Sequence, residues 1–202
     1  MRLEENQMSK RITFQFEDDL DYQMQAIHST VELFRGLSRH VDGVYRYNRI
    51  HDVTQGNPIR NNDIVVGSRL LENLRKVQLS NDLFADNVLA EGNNFTIEME
   101  TGTGKTYVYL RTILELYQEY GFRKFMIVVP SIAIRKGVEK SMEQLADHFK
   151  RLYNIDIGKH SFIYDSNNPK QISSKLVESN DLSICVLNIQ AFNKDTNKIR
   201  KE

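Results

Sequence analysis

Apolar residues recur early in the chain at Leu20, Met24, Ile27, Val31 and Phe34, steps of four, three, four and three that form one stripe on a helix closing near Gly36. Such a stripe needs a core to lie on. From 37 to 93 the pattern weakens. Gly43, Gly56-Asn57-Pro58, Asn61-Asn62-Asp63, Gly67 and Gly92-Asn93-Asn94 break up short apolar pieces such as Ile64-Val65-Val66, so this stretch reads as a loop-rich insertion with a helix at about 69–77. Beyond 94 short β-branched or aromatic runs, at 95–98, 125–129, 161–164 and 182–189, alternate with long amphipathic stretches, the order of βαβ units around a parallel sheet. One helix is predicted over 105–120, with Leu110, Ile113, Leu114 and Tyr117 at i, i+3, i+4 and i+7 and Gly121 as its stop. A second covers 134–152, with Val138, Met142, Leu145, Phe149 and Leu152 on one face. The expectation is an α/β fold: an incomplete parallel sheet flanked by helices from 94 to 202, preceded over 1–93 by a helical, loop-rich extension.

Composition changes this picture little. The 202 residues are 40% hydrophobic and 27% charged, the balance of a globular chain able to bury a core. Lys and Arg number 27, as do Asp and Glu, so no overall field points to nucleic acid or to disorder. The single cysteine, Cys185, excludes an intrachain disulfide and a thiolate zinc cluster, and its apolar neighbours Ile184, Val186 and Leu187 mark it as a core residue. No apolar run approaches the roughly 18 residues that span a bilayer, and Met1-Arg2-Leu3-Glu4-Glu5 does not open a signal peptide, so the expected compartment is the cytoplasm, with no membrane partner. His28, His40, His51, His148 and His160 show no i, i+4 pairing, which argues against a histidine metal site. Glu17-Asp18-Asp19 supply negative charge at the start of the first helix, with Asp18 or Asp19 as its cap.

The chemistry concentrates in Met99-Glu100-Thr101-Gly102-Thr103-Gly104-Lys105-Thr106, between a predicted strand and a predicted helix, the context of a phosphate-binding loop. Gly102 and Gly104 let the backbone turn tightly and aim successive N–H groups inward, at the positive end of the following helix. Thr101 and Thr103 complete the loop. Lys105 is the candidate for the β- and γ-phosphates of ATP, and the Thr106 hydroxyl the candidate ligand of the accompanying Mg2+; both roles also serve catalysis. The general pattern G-x-x-x-x-G-K-[ST] has glycine where this chain has Met99.

With these residues on the page, the chain resembles superfamily 2 DNA translocases, and within them the restriction (Res) subunit of type III restriction-modification enzymes, whose loop is typically written METGTGKT and followed by a tyrosine-containing helix. Residues 99–110 read that way throughout. Val128-Val129-Pro130-Ser131-Ile132-Ala133-Ile134-Arg135 resembles motif Ia, and Val186-Leu187-Asn188-Ile189-Gln190-Ala191-Phe192 resembles the segment before the family's Walker B box. The resemblance implies a RecA-like P-loop domain, ATP with Mg2+, duplex DNA as substrate and a modification (Mod) methyltransferase subunit as partner. It makes Pro130, Ser131, Arg135, Asn188 and Gln190 candidates for contacts to the DNA backbone, where a strand end feeding a helix N-terminus suits phosphate. Pro130 and Ser131 also serve to start and cap the helix. Upstream, Tyr22-Gln23-Met24-Gln25-Ala26-Ile27 resembles the Y-Q-x-x-A element that grips adenine, making Gln23 the adenine reader, with Gln78 a rival by its nearness in sequence to the loop.

Such a motor also needs an Asp-Glu box to hold magnesium and orient the attacking water, and no Asp-Glu dipeptide occurs in these 202 residues. The chain therefore reads as the front piece of a longer enzyme, able to bind ATP weakly and to turn it over negligibly. Two other readings accommodate the loop. A small P-loop kinase would use Lys105 and Thr106 on a metabolite acceptor, although kinases usually place the loop near the N-terminus; an interaction module descended from a split helicase gene would keep the loop without the activity.

Overall fold

The computed structural model describes residues 20–37, 39–41, 44–46, 68–89, 93–168 and 170–192. Helix α1 (Asp21–Glu32) buries Ile27 and Val31 and runs into a turn that ends at Gly36, φ +67°. Its N-cap position is Leu20, which offers no side-chain bond, and the acidic trio expected to cap it lies outside the described residues. Strands β1 (Arg39–Val41) and β2 (Val44–Arg46) form a separate antiparallel pair. Helix α2 (Ser68–Ser80) follows, slightly longer than its sequence pattern predicts.

The main body is built on α3 (Lys105–Tyr120), β3 (Lys124–Val129), α4 (Ile132–Tyr153), the single-turn α5 (Ile157–His160), β4 (Ser161–Ile163), the short α6 (Lys170–Ile172) with a π-helical turn at Ser173–Glu178, and β5 (Ser183–Asn188), followed by a 3-10 turn at Ile189–Ala191. The three strands are parallel in the order β3-β5-β4. Central β5 is covered on both faces, as parallel strands require: Ile184, Cys185, Val186 and Leu187 are each 0% exposed. Its alternation separates two cores. Ile184 and Val186 face Leu110 and Leu114 of α3 and Val138 and Phe149 of α4, whereas Cys185 and Leu187 face Phe162, Tyr164 and Leu176. A third cluster joins Ile27 and Val31 of α1 to Val108 and Leu116 of α3, with Met99 and Phe34 at its margin.

Chain breaks follow local chemistry. Gly121, φ +73°, ends α3 and returns its N–H to the carbonyls of Leu116 and Tyr117, while Ser131 accepts from the Ile134 N–H at 3.3 Å to start α4, and Asn154, φ +56°, ends it. Together these elements are an α/β arrangement of RecA-like kind, a small parallel sheet flanked by helices. No helix among the described residues is long and apolar enough to cross a membrane.

One predicted element is corrected. Residues 95–98 form no strand, and Ile97 is 49% exposed. A strand exists only as a partner in a ladder, and among the described residues none pairs with 95–98: β3 is an edge whose one partner is β5. The second face of β3 is also uncovered. Met126 and Val128 lie opposite Cys185 and Leu187 in register, yet the layer that buries those two stops short of β3, leaving Met126 49% and Val128 46% exposed.

Phe149, 0% exposed and stacked on Tyr107 at 5.7 Å, joins α4 to α3. Phe149→Ala should lower unfolding free energy by about 3–5 kcal/mol in a denaturant titration, through lost transfer energy and the cavity left behind.

Burial pushes the Cys185 thiol up to about 11, with Lys175 pulling weakly the other way. Because the folded value is raised, the stability tied to the protonated thiol is fully present below the ordinary thiol range and is lost as pH rises toward 11. Alkylation of the folded chain by iodoacetamide at pH 8 should therefore be slow and should accelerate only in denaturant.

Candidate functional site

The loop that enters α3 owes its shape to two glycines. Gly102 and Gly104 both sit at φ +85°, where a side chain strains the backbone, and the intervening Thr103 closes the turn by donating from Oγ1 to the Glu100 carbonyl at 2.7 Å. Helix α3 starts at Lys105 with no side-chain cap, so its first backbone N–H groups face the loop at the positive end of the helix dipole. Lys105 is exposed and its ammonium donates to the same Glu100 carbonyl at 2.8 Å, folded across the loop it would serve.

The loop forms one wall of a cavity of about 480 Å3, lined by Thr101, Gly102, Gly104, Lys105, Thr106 and Tyr107 and, from α4, by Ser141, Gln144 and Leu145. That volume suits a small-molecule ligand. Sequence reasoning did not reach the α4 wall. Its signal was slight: Ser141 and Gln144 are polar residues one helical turn apart, beside the apolar stripe that Val138, Met142 and Leu145 form. On the same helix, burial raises the Tyr109 phenol above its ordinary range, with the neighbouring Thr106 drawing it partly back.

From far upstream, Gln23 reaches the loop. Its Nε2 donates to the Thr103 carbonyl at 2.9 Å, across 80 positions of sequence, and the residue is only 7% exposed. The approach is so close that a Cβ on Gly104 would stand 2.5 Å from Gln23 Nε2. The rival Gln78 is elsewhere. Its amide donates to Asp86 Oδ2 at 2.6 Å and accepts from the Asp86 N–H at 2.9 Å, closing the loop after α2.

Behind the loop, a partly buried polar network ties α3 to α4. Tyr107 shares a hydrogen bond with His148 Nε2 at 3.2 Å, Arg111 donates to Tyr107 at 2.9 Å and to Tyr153 at 2.8 Å, and Tyr153 donates to Glu115 at 2.6 Å. Burial, then the bond to Glu115, holds the Tyr153 phenol well above its ordinary range. Burial alone would lower the Arg111 guanidinium, but the two tyrosine oxygens outweigh it and raise it. Groups left unpaired here would cost more than the bonds return, so the network fixes how the two cavity walls face each other.

A second group gathers at the carboxyl ends of β3 and β5. Val129 and Asn188 are register partners, and Gln190 Nε2 donates to the Pro130 carbonyl at 3.2 Å, which brings Pro130, Ser131, Asn188 and Gln190 together. Arg135 follows one turn into α4, its guanidinium 3.4 Å from Glu139. The Asn188 amide oxygen is buried without a hydrogen bond among the described residues, and the Ser131 side chain is engaged as the cap of α4.

Residues 18–202 match the family model described as type III restriction enzyme, res subunit. The chain belongs to this family. It is 28% identical over 177 residues to the type III restriction-modification enzyme EcoPI Res subunit of Escherichia phage P1, a match covering 85% of this chain and 17% of that protein. It is 32% identical over 111 residues to the EcoP15I Res subunit of Escherichia coli, covering 53% and 11%, and 47% identical over 62 residues to the StyLTI Res subunit of Salmonella typhimurium, covering 30% and 6%. In these alignments the chain spans at most 17% of the relative's length.

Gly104→Ala should be poorly tolerated, because it combines a left-handed φ with an overlap on Gln23. We expect a loss of about 1–2 kcal/mol in stability and a displaced Gln23, read by denaturation and by loss of protection of the loop amides in hydrogen exchange. Gly102→Ala carries the φ cost alone, since nothing lies within 4 Å of its added Cβ.

Proposed function

We propose that this chain is the nucleotide-binding front of a helicase-like restriction subunit, taking ATP in the cavity between the loop and α4. The observation that carries this is the loop itself: two glycines at φ +85° feeding an uncapped helix start, with Lys105 and Thr106 as the first helical residues. The backbone of Thr101, Gly102, Thr103 and Gly104 supplies N–H donors to the polyphosphate. Lys105 exchanges the Glu100 carbonyl for phosphate oxygens, and Gln23, already on the Thr103 carbonyl, offers its remaining amide capacity to the adenine edge. The oxygen donor at Thr106 suits a hard cation, and Mg2+ bound with the nucleotide would offset charge on the phosphates. The family relatives are named as Res subunits of restriction-modification enzymes. On that basis we assign duplex DNA as the substrate of the whole enzyme, a modification methyltransferase subunit as its partner and the cytoplasm as its compartment. Pro130, Ser131, Arg135, Asn188 and Gln190 are the group that would meet the DNA backbone. Support comes from the assembly of Pro130, Ser131, Asn188 and Gln190 at the carboxyl ends of two adjacent strands, with Arg135 in the first turn of α4 beside them.

Nucleotide binding needs the loop, whereas hydrolysis needs an acidic group to orient water, and the chain contains no Asp-Glu dipeptide. Calorimetry on the 202-residue chain should show Mg-dependent ATP binding that Lys105→Ala weakens about 10- to 100-fold, the span set by a charge-assisted hydrogen bond. Phosphate release should remain at background with or without duplex DNA. Undiminished binding by Lys105→Ala would remove the loop from the reading, and DNA-stimulated turnover lost in that variant would show that the chain is a complete ATPase.

A further inference from the structure

Helix α2 lies in the stretch that the sequence presents as an insertion, yet it docks on α1. Leu70, 1% exposed, and Asn73, 5% exposed, sit one turn apart on its buried face. Asn73 Nδ2 donates to the Leu33 carbonyl at 2.9 Å and to the Arg35 carbonyl at 2.8 Å. These belong to the end of α1 and the turn after it, where a helix leaves carbonyls without intrahelical partners. A second latch lies nearer the middle of α1: Asn81 donates to Ser29 Oγ at 3.1 Å and accepts from Gln25 Nε2 at 2.7 Å. Helix α1 is thus held from Gln25 to Arg35 by α2 and the turn that follows it, and its opposite end carries Gln23 to the loop.

The tolerance at that end is small. Gln23 Nε2 stands 2.9 Å from the Thr103 carbonyl oxygen, already at ordinary hydrogen-bond distance, and packs against Gly104 where a side chain would overlap it. A retreat of well under an ångström takes the bond beyond normal hydrogen-bond range. A helix of three turns moves as a stiff body, so what holds its far end contributes to the placement of Gln23, together with the packing of Ile27 and Val31 on α3.

We propose that Asn73 is a positioning residue for base recognition: by holding the carbonyl end of α1, it sets Gln23 against the loop and toward the adenine of a bound nucleotide. The inference rests on the reading of Gln23 given above. It gives α2 a role in ligand selectivity through contacts that touch neither loop nor ligand.

The test compares Mg-ATP, Mg-GTP and Mg-tripolyphosphate binding to the 202-residue chain by calorimetry, in the wild type, Gln23→Ala, Asn73→Ala and Asn73→Asp. Tripolyphosphate engages the loop alone and reports whether it is still folded. Asn73→Ala is expected to reduce the preference for ATP over tripolyphosphate about tenfold, and that for ATP over GTP in proportion, while tripolyphosphate affinity stays within about twofold. Asn73→Asp, isosteric but unable to donate, should do at least as much. An unchanged ATP-to-tripolyphosphate ratio in both Asn73 variants overturns the proposal, as does an equal loss for all three ligands, which marks Asn73 as a structural cap alone. The outcome for Gln23→Ala separates the two claims. If it loses the preference while the Asn73 variants keep it, only the positioning role falls; if it keeps the preference, the adenine reading itself falls.

Discussion

Helix α3 is the element on which the rest depends, because it has to satisfy three neighbours at once. Leu110 and Leu114, both 0% exposed, pack on the sheet and α4; Val108 and Leu116 pack on α1; and its first residue, Lys105, ends the glycine-bearing loop. A helix packed on two sides cannot tilt to improve one contact without loosening another. The loop inherits that rigidity. Gly102 and Gly104 need only turn the chain onto a fixed helix start, and both do so with a left-handed φ that glycine adopts without a steric penalty.

The polar groups around α3 follow the same constraint. Tyr107 and Arg111 emerge from it toward α4, where His148 and Tyr153 receive them, so the helix that carries Lys105 and the helix that carries Gln144 are joined by hydrogen bonds as well as by Phe149. An apolar seam alone would permit sliding between ridges; directional bonds on both sides of Phe149 do not. The width of the cavity between the two helices is therefore set by the fold, and on the proposed reading that lowers the cost of ordering when a nucleotide binds.

Much of this was legible in the sequence, and for identifiable reasons. The periodic stripes of α1, α3 and α4 predicted helices that the structure contains, and the apolar run around Cys185 predicted a strand with Cys185 in the core, as found. Gly121 and Ser131 mark boundaries by their own backbone and side-chain chemistry. The failures have a different origin. Residues 95–98 have strand composition, but composition cannot supply the neighbouring strand that a ladder needs. What sequence spacing does not convey is that Gln23, 80 positions upstream, bonds the Thr103 carbonyl, whereas Gln78, nearer in sequence to the loop, bonds Asp86 instead. Asn73 gave no signal at all, since an asparagine within a helical pattern usually reads as a solvated residue of middling helix propensity.

The topology also explains why the two candidate groups share one end of the sheet. After α3, only Gly121, Phe122 and Arg123 precede β3, so the helix runs back antiparallel to the strand that follows it, and its N-terminus returns to the carboxyl ends of the strands. Pro130 and Ser131 leave β3 at that same end, and Asn188 leaves β5 beside them. In a parallel sheet this coincidence is obligatory rather than chosen, because every strand releases its carboxyl end on one side. On the proposed reading, ATP at the loop and DNA phosphates at the Pro130–Gln190 bridge would lie on one rim of a common scaffold. A change in the relation between them would be carried by α4, whose N-terminal turn belongs to one group and whose Ser141 and Gln144, farther along the helix, belong to the other. A single continuous helix spanning both leaves little slack between a movement at one group and its consequence at the other.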